Sequence, residues 1–310
     1  MKKISILTPC YNEELNIELL YYKVTNEMSK LLKYDYEFIF IDNDSNDNTV
    51  NILKRLAISD NRLKIIINIK NYGHIKSPFY GLLQCDGDAV ITMASDLQDP
   101  PELIHKFIQK WEEGYKIVVG TKPKSQENII MFTIRRFFYN LIKNISEISQ
   151  IKNFTGFGLY DKSFIEILKK IEEPYPYFRG LVSELGYKIT EIEFIQPNRN
   201  AGKTSNNFYT LYDMAMLGFV SYSKIPLRMS SFIGFFVSFL SFIVAIIYIF
   251  YKLLNWSAFQ LGLAPLIIGI FFLGGIQLFF LGVIGEYIAA IFTQVKKRPL
   301  VIEKERINFD

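Results

Sequence analysis

A doubly wound α/β domain with a largely parallel sheet, followed by two membrane-crossing helices, is the architecture this sequence predicts. Short apolar runs alternate with helix-period segments through the first part of the chain. Several of those runs end in polar, acid-rich turns, where open α/β sheets bind ligands. Near the C-terminus two long stretches carry no charge at all.

The elements follow in order. Ile4 to Thr8 reads as a strand, ending in Pro9-Cys10-Tyr11-Asn12-Glu13-Glu14, with a helical pattern on to Leu32. Glu37 to Ile41 is a second strand, closed by Asp42-Asn43-Asp44-Ser45-Asn46-Asp47 and a helix from Thr49 to Ile58. Leu63 to Asn68 is a third strand, followed by Asn71-Tyr72-Gly73-His74, Lys76 and a short helix from Ser77 to Gln84. Ala89 to Met93 is β-branched and apolar, and reads as a buried strand. It leads into Ala94-Ser95-Asp96-Leu97-Gln98-Asp99-Pro100-Pro101-Glu102, where Pro101 suits the first turn of a helix. Asp96 and Gln98 offer hard oxygens of the kind that suit Mg²⁺ or Mn²⁺, although an acidic strand-to-helix turn fits the same residues. Likewise Asp47 or Asn48 fits a helix cap as well as Asp42 fits a base or ribose contact.

After a strand at Ile117 to Gly120, the apolar positions from Ile130 to Ile145 recur at helical spacing, with Arg135, Arg136 and Lys143 between them. That pattern suits either a core-facing helix or a basic helix on an anionic membrane surface. Residues 229–251 carry no charge, nor do residues 253–285, and each run is long enough to cross about 30 Å of hydrocarbon. Lys224 and Arg228 precede the first run, and Lys296, Lys297 and Arg298 follow the second. The positive-inside rule therefore puts both ends in the cytosol. Residues 208–223 read as an interfacial segment and the tail as a short strand-like extension.

The formal charge of +4 and the lack of zinc-finger or basic-array patterns give no reason to expect nucleic acid. Cys10 and Cys85 form no CxxC pair, which reads as a reduced compartment. The N-terminal apolar run is too short for a signal-peptide core.

Asp96 to Glu102 resembles the metal-binding motif of family 2 glycosyltransferases, in the branch that glycosylates polyprenyl phosphates. Dolichyl-phosphate mannose synthases and bactoprenol glucosyltransferases belong to that branch. Ala94 stands where the motif has its first Asp. Tyr11-Asn12-Glu13-Glu14 and Asp42 to Asp47 resemble the family's nucleotide-binding turns, in the same order. Asn153 to Lys162 occupies the place of its acceptor segment, with Gly156 for an Asp and Gly158 for an Arg. Tyr177 to Val182 and Arg199 to Ser205 resemble later family motifs.

The resemblance implies a GT-A-like nucleotide-sugar-binding domain over residues 1–205, an interfacial segment at 206–228, a membrane hairpin at 229–292 and a cytosolic tail at 293–310. It implies a protein of the cytoplasmic membrane with its catalytic domain in the cytosol, and admits a homo-oligomer. Pro9, Tyr11, Asn12, Glu13, Asp42, Lys76, Ser95 and Asp96 are the expected nucleotide-sugar contacts. Arg135, Arg136, Arg179, Arg199, Lys203 and Ser205 are expected at phosphate and acceptor, where Arg offers a fork of donors. Asp96 and Gln98 would hold Mg²⁺ or Mn²⁺, and Asp96 and Asp161 are the expected catalytic carboxylates. The implied reaction is inverting transfer from a nucleotide-diphosphate sugar, UDP-sugar favoured, to undecaprenyl phosphate. Two other readings compete: a processive polysaccharide synthase, whose Gln-x-x-Arg-Trp motif is absent here, and a membrane-anchored binding module with a degenerate site.

Overall fold

The computed structural model describes residues 1–122, 151–197, 223, 225–254 and 263–309. Eight strands form one sheet: β1 Lys2–Cys10, β2 Tyr34–Asp42, β3 Leu63–Asn68, β4 Ala89–Thr92, β5 Ile117–Thr121, β6 Phe154–Asp161, β7 Ile189–Glu193 and β8 Glu303–Ile307. Their spatial order is β7-β5-β6-β4-β1-β2-β3-β8. β1 pairs in parallel with β2 and β4, and β2 with β3. β6 runs antiparallel between β4 and β5, and β8 antiparallel to β3.

Helices cover both faces, which is why the central strands read as unbroken apolar runs. Side chains alternate along each strand. Ile4, Ile6, Phe38, Phe40, Ile65 and Ile67 share one core with α1 Ile17–Ser29, α2 Thr49–Ser59 and α4 Ile104–Glu112. Leu7, Ile39, Ile41, Ile66 and Val90 share the other with α3 Gly73–Leu83, α5 Lys162–Lys170 and α6 Phe178–Glu184. Each such side chain contributes about 1.5–3 kcal/mol when fully buried. Pro101 opens a single 3₁₀ turn, Pro101–Leu103, that runs into α4.

The chain leaves β1 for β2 on one side and returns from β3 to β4 on the other. The carboxyl ends of β1 and β4 therefore flank a switch point in strand order, where a crevice opens. Three non-glycine residues of the turns at this edge have positive φ: Asn12 (54°), Asp44 (67°) and Leu97 (61°). Backbone held in this region costs on the order of 1–3 kcal/mol and gathers at functional sites.

The C-terminal helices are α7 Ile225–Leu254 and α8 Leu263–Val295. Within them Leu227–Tyr251 and Gly269–Val295 are long and apolar enough to cross a membrane, with mean hydropathies of 2.6 and 1.8. Neither is covered by protein, and Phe232, Phe235 and Phe271 are each at least 75% exposed, so they are not core helices. Tyr287 Oη donates to the Ser223 carbonyl (2.5 Å), fastening α8 to the chain just ahead of α7.

The tail differs from its expected separate place. β8 joins the sheet edge, and Ile69 N–H donates to the Ile302 carbonyl (3.0 Å). The soluble domain thus includes residues on both sides of the two apolar helices.

Candidate active site

The crevice is built from three turns. At the end of β1, Asn12 N–H donates to Ser45 Oγ (2.8 Å), and Asn46 N–H donates to Asn12 Oδ1 (2.8 Å). Glu13 N–H donates to Thr49 Oγ1 (2.8 Å), and the buried Glu13 carboxylate accepts from Asn16 Nδ2 (2.7 Å). Asn12 and Glu13 therefore lock the β1 and β2 turns together. Asp42 is fully buried, accepting from Ser45 N–H (3.0 Å) and Ser45 Oγ (2.5 Å). Burial raises its pKa against those bonds. Its carboxylate thereby shapes the β2 turn at the end of the strand where the sequence places a base or ribose contact.

The third turn carries the acidic motif. Gln98 N–H donates to Asp96 Oδ1 (3.1 Å), and Ala94 N–H donates to Asp99 Oδ2 (2.8 Å). Asp99 thereby folds back onto the position that lacks a carboxylate. Burial pushes the Asp99 carboxyl up to about 6, against the Ala94 bond and the charge of Lys122. Asp96 is half-buried, and Ser95 is buried beneath the turn.

Beside this turn lies a cavity of about 420 Å³. Pro9, Ala94, Gln98 and Asp99 line one wall, and His74, Phe79, Tyr177, Phe178 and Arg179 another. Lys122 and Gly156 complete it, so Lys122 and Arg179 offer cationic groups around one buried acid. Thr92 Oγ1 and Tyr160 Oη both donate to the Gly156 carbonyl. Gly156 has φ +111°, and a side chain there would meet open space. At Gly158, by contrast, a Cβ would come 2.4 Å from the Val118 carbonyl. Close pairing of β6 with β5 leaves no room for the Arg of the family pattern.

One expectation falls on the wrong side. Asp161 lies at the far end of β6, opposite Ala89 at the start of β4, because β6 is antiparallel. It caps α5 through Ser163 N–H (3.0 Å) and accepts from Trp111 Nε1 (2.7 Å) and Lys116 Nζ (3.1 Å). Burial opposes its charge, but the bonds from Ser163, Trp111 and Lys116 outweigh it and hold the carboxyl below the usual range. Asp161 is a structural cap, not a catalytic carboxylate. Lys76 does not line the cavity, and its ammonium lies 5.7 Å over the Tyr175 ring. Arg135, Arg136, Arg199, Lys203 and Ser205 lie outside the described residues.

Lys122 and Asp99 line the cavity without having been assigned a role from the motifs. Lys122 directly follows β5, and Asp99 stands inside the acidic motif; a position at a strand end was the available signal. Their convergence needed the fold.

Among the described residues no group of three His, Cys, Asp or Glu side chains gathers to form a cage. Asp96 and Gln98 on one turn do fit a metal that takes one or two carboxylate ligands and completes its shell with water and substrate phosphates.

A mostly parallel sheet with polar turns and a cavity at its switch point makes this an α/β enzyme of the GT-A-like class. The sequence profile of glycosyl transferase family 2 matches residues 5–170, more than half the chain, and the protein belongs to that family: it is a glycosyltransferase. An uncharacterized glycosyltransferase of Bacillus subtilis is 35% identical over 99% of this chain and 94% of its own. The SfII prophage-derived bactoprenol glucosyl transferase of Shigella flexneri is 34% identical, covering 98% of each chain. A prophage bactoprenol glucosyl transferase homolog of Escherichia coli is 34% identical over 97% of this chain and 98% of its own.

Proposed function

We propose that this glycosyltransferase moves one sugar from a nucleotide-diphosphate sugar, UDP-sugar favoured, to undecaprenyl phosphate at the cytosolic membrane face. The observation that carries this reading is the extent of the likeness. Relatives named bactoprenol glucosyl transferase align with 98% of the chain, through both apolar helices as well as the sheet. The base packs near exposed Tyr11, and Lys122 and Arg179 meet phosphate oxygens in the cavity. Asp96 and Gln98 would hold Mg²⁺ or Mn²⁺. A bound divalent ion stabilises charge on a departing diphosphate.

The acceptor phosphate attacks the anomeric carbon as the bond to the nucleotide breaks, inverting configuration. A phosphate monoester loses its second proton near pH ~6. It is already a nucleophile at neutral pH, so Gly156 in place of the family's acid leaves the reaction feasible without a base. Binding without turnover is the second reading, favoured by Ala94 and Gly156 together. The test is consumption of UDP-glucose, UDP-N-acetylglucosamine or GDP-mannose by full-length protein in nanodiscs containing undecaprenyl phosphate. One donor should be consumed only when the lipid phosphate is present. Consumption of none would leave the binding module.

A further inference from the structure

Lys70, Lys76 and Arg298 lie around the segment that follows the second apolar helix. α8 ends at Val295, and Lys296, Lys297 and Arg298 follow. The bond from Ile69 N–H to the Ile302 carbonyl and the pairing of Asn68 with Glu303 hold this exit segment against the end of β3. That contact sets Lys70 beside the exit segment, although the two are far apart in sequence. Lys76, near the start of α3, sits over the Tyr175 ring, and burial followed by the charges of Lys70 and Arg298 lowers its pKa.

The neighbouring cations are otherwise engaged. Lys297 lies 3.8 Å from Glu172, and Lys296 lies over the Phe292 ring. Among the described residues no carboxylate comes within ion-pair distance of Lys70, Lys76 or Arg298. Like charges held together without a counter-ion raise the free energy, and an anion relieves it.

The cluster also borders the cavity. Ile75 and Pro78, on either side of Lys76, line it, as do Pro176 and Tyr177, which follow Tyr175. A polyprenyl tail stays in the bilayer at about 0.8 kcal/mol per CH₂, so its phosphate must pass from head-group level to the cavity. We propose that Lys70, Lys76 and Arg298 form a phosphate site at the membrane exit of α8, which receives the head group of the lipid acceptor before it enters the cavity. This rests on the polyprenyl-phosphate reading above.

The experiment is equilibrium binding of radiolabelled undecaprenyl phosphate to full-length protein in phosphatidylcholine nanodiscs, without donor. Lys76→Gln and Arg298→Gln should each weaken binding about five-fold, the effect of roughly one surface charge near a lipid phosphate. Lys76→Arg should bind like wild type, and undecaprenol, which lacks the phosphate, should bind all variants alike. UDP-glucose affinity should not change. Wild-type binding by both Gln variants would overturn the site. So would displacement of the bound lipid by phosphatidylglycerol at equal mole fraction, which would make the cluster a contact for bulk anionic lipid. Wild-type protein that binds undecaprenyl phosphate but transfers no sugar to it fails the proposed function, while the variants' binding still decides the site.

Discussion

Asp96 and Asp161 both stand at strand ends in the sequence, yet they face opposite edges of the sheet. Substituting each separates the roles. Asp96→Asn should lower turnover at least ~100-fold with an unchanged melting temperature, because Asp96 is the half-buried carboxylate of the acidic turn that the proposed metal would use. Asp161→Asn should keep turnover within a few-fold and lose about 1 kcal/mol or more of stability, as a weakened helix cap does. Turnover and thermal unfolding on both proteins check the pair. Near-normal turnover in the Asp96 variant would remove the metal assignment. The motif singled out Asp96 and Gln98 from sequence alone, and the fold sets them on one turn. The motif could not show the direction of β6, which is fixed by its antiparallel pairing with β4 and β5. Nor could it show that Asp42 accepts from Ser45, since an Asp before a Ser reads alike in a cap and in a ligand site.

The elements themselves were largely legible. Strands buried on both faces leave unbroken apolar runs, and β1 to β4 were read within a few residues of their ends. The tail strand was seen as an extension, but its partner was not, because pairing with β3 spans more than two hundred residues and leaves no local signal. The amino ends of the strands hold a second polar cluster that no motif announces. Glu37 is buried and accepts from Lys3 Nζ (2.6 Å), Ser5 Oγ (2.5 Å) and Asp86 N–H (3.2 Å), with Lys64 Nζ at 2.9 Å. Burial raises its pKa, but the bonds from Lys3, Ser5 and Lys64 win and hold it at about 2. Its folded value lies below the unfolded one of 4.5. Its contribution is therefore complete above that unfolded value and fades as pH falls towards about 2. Glu37→Gln should cost on the order of 3 kcal/mol at neutral pH and flatten the acid limb of stability. Thermal unfolding in detergent from neutral to acid pH reads both. An unchanged acid limb would mean that Glu37 contributes nothing there.

For the whole molecule, the two apolar helices lie between strands of one sheet, β7 before them and β8 after. A chain that leaves a domain, crosses a membrane and returns to the same sheet must cross an even number of times. Sequence charge alone had suggested the same hairpin, and the sheet supplies an independent reason. A cysteine placed at position 255, with Cys10 and Cys85 replaced, should react with an impermeant maleimide from outside intact cells. Reaction only after permeabilisation would contradict the hairpin.

The mass of the lipid product, formed in nanodiscs from undecaprenyl phosphate and whichever donor is consumed, is the most direct test of single-sugar transfer. One hexose or N-acetylhexosamine added to undecaprenyl phosphate, with nucleoside diphosphate released, is the predicted result. A ladder of sugars would make the enzyme a polymerising synthase, and an undecaprenyl diphosphate sugar with nucleoside monophosphate released would contradict attack at the anomeric carbon.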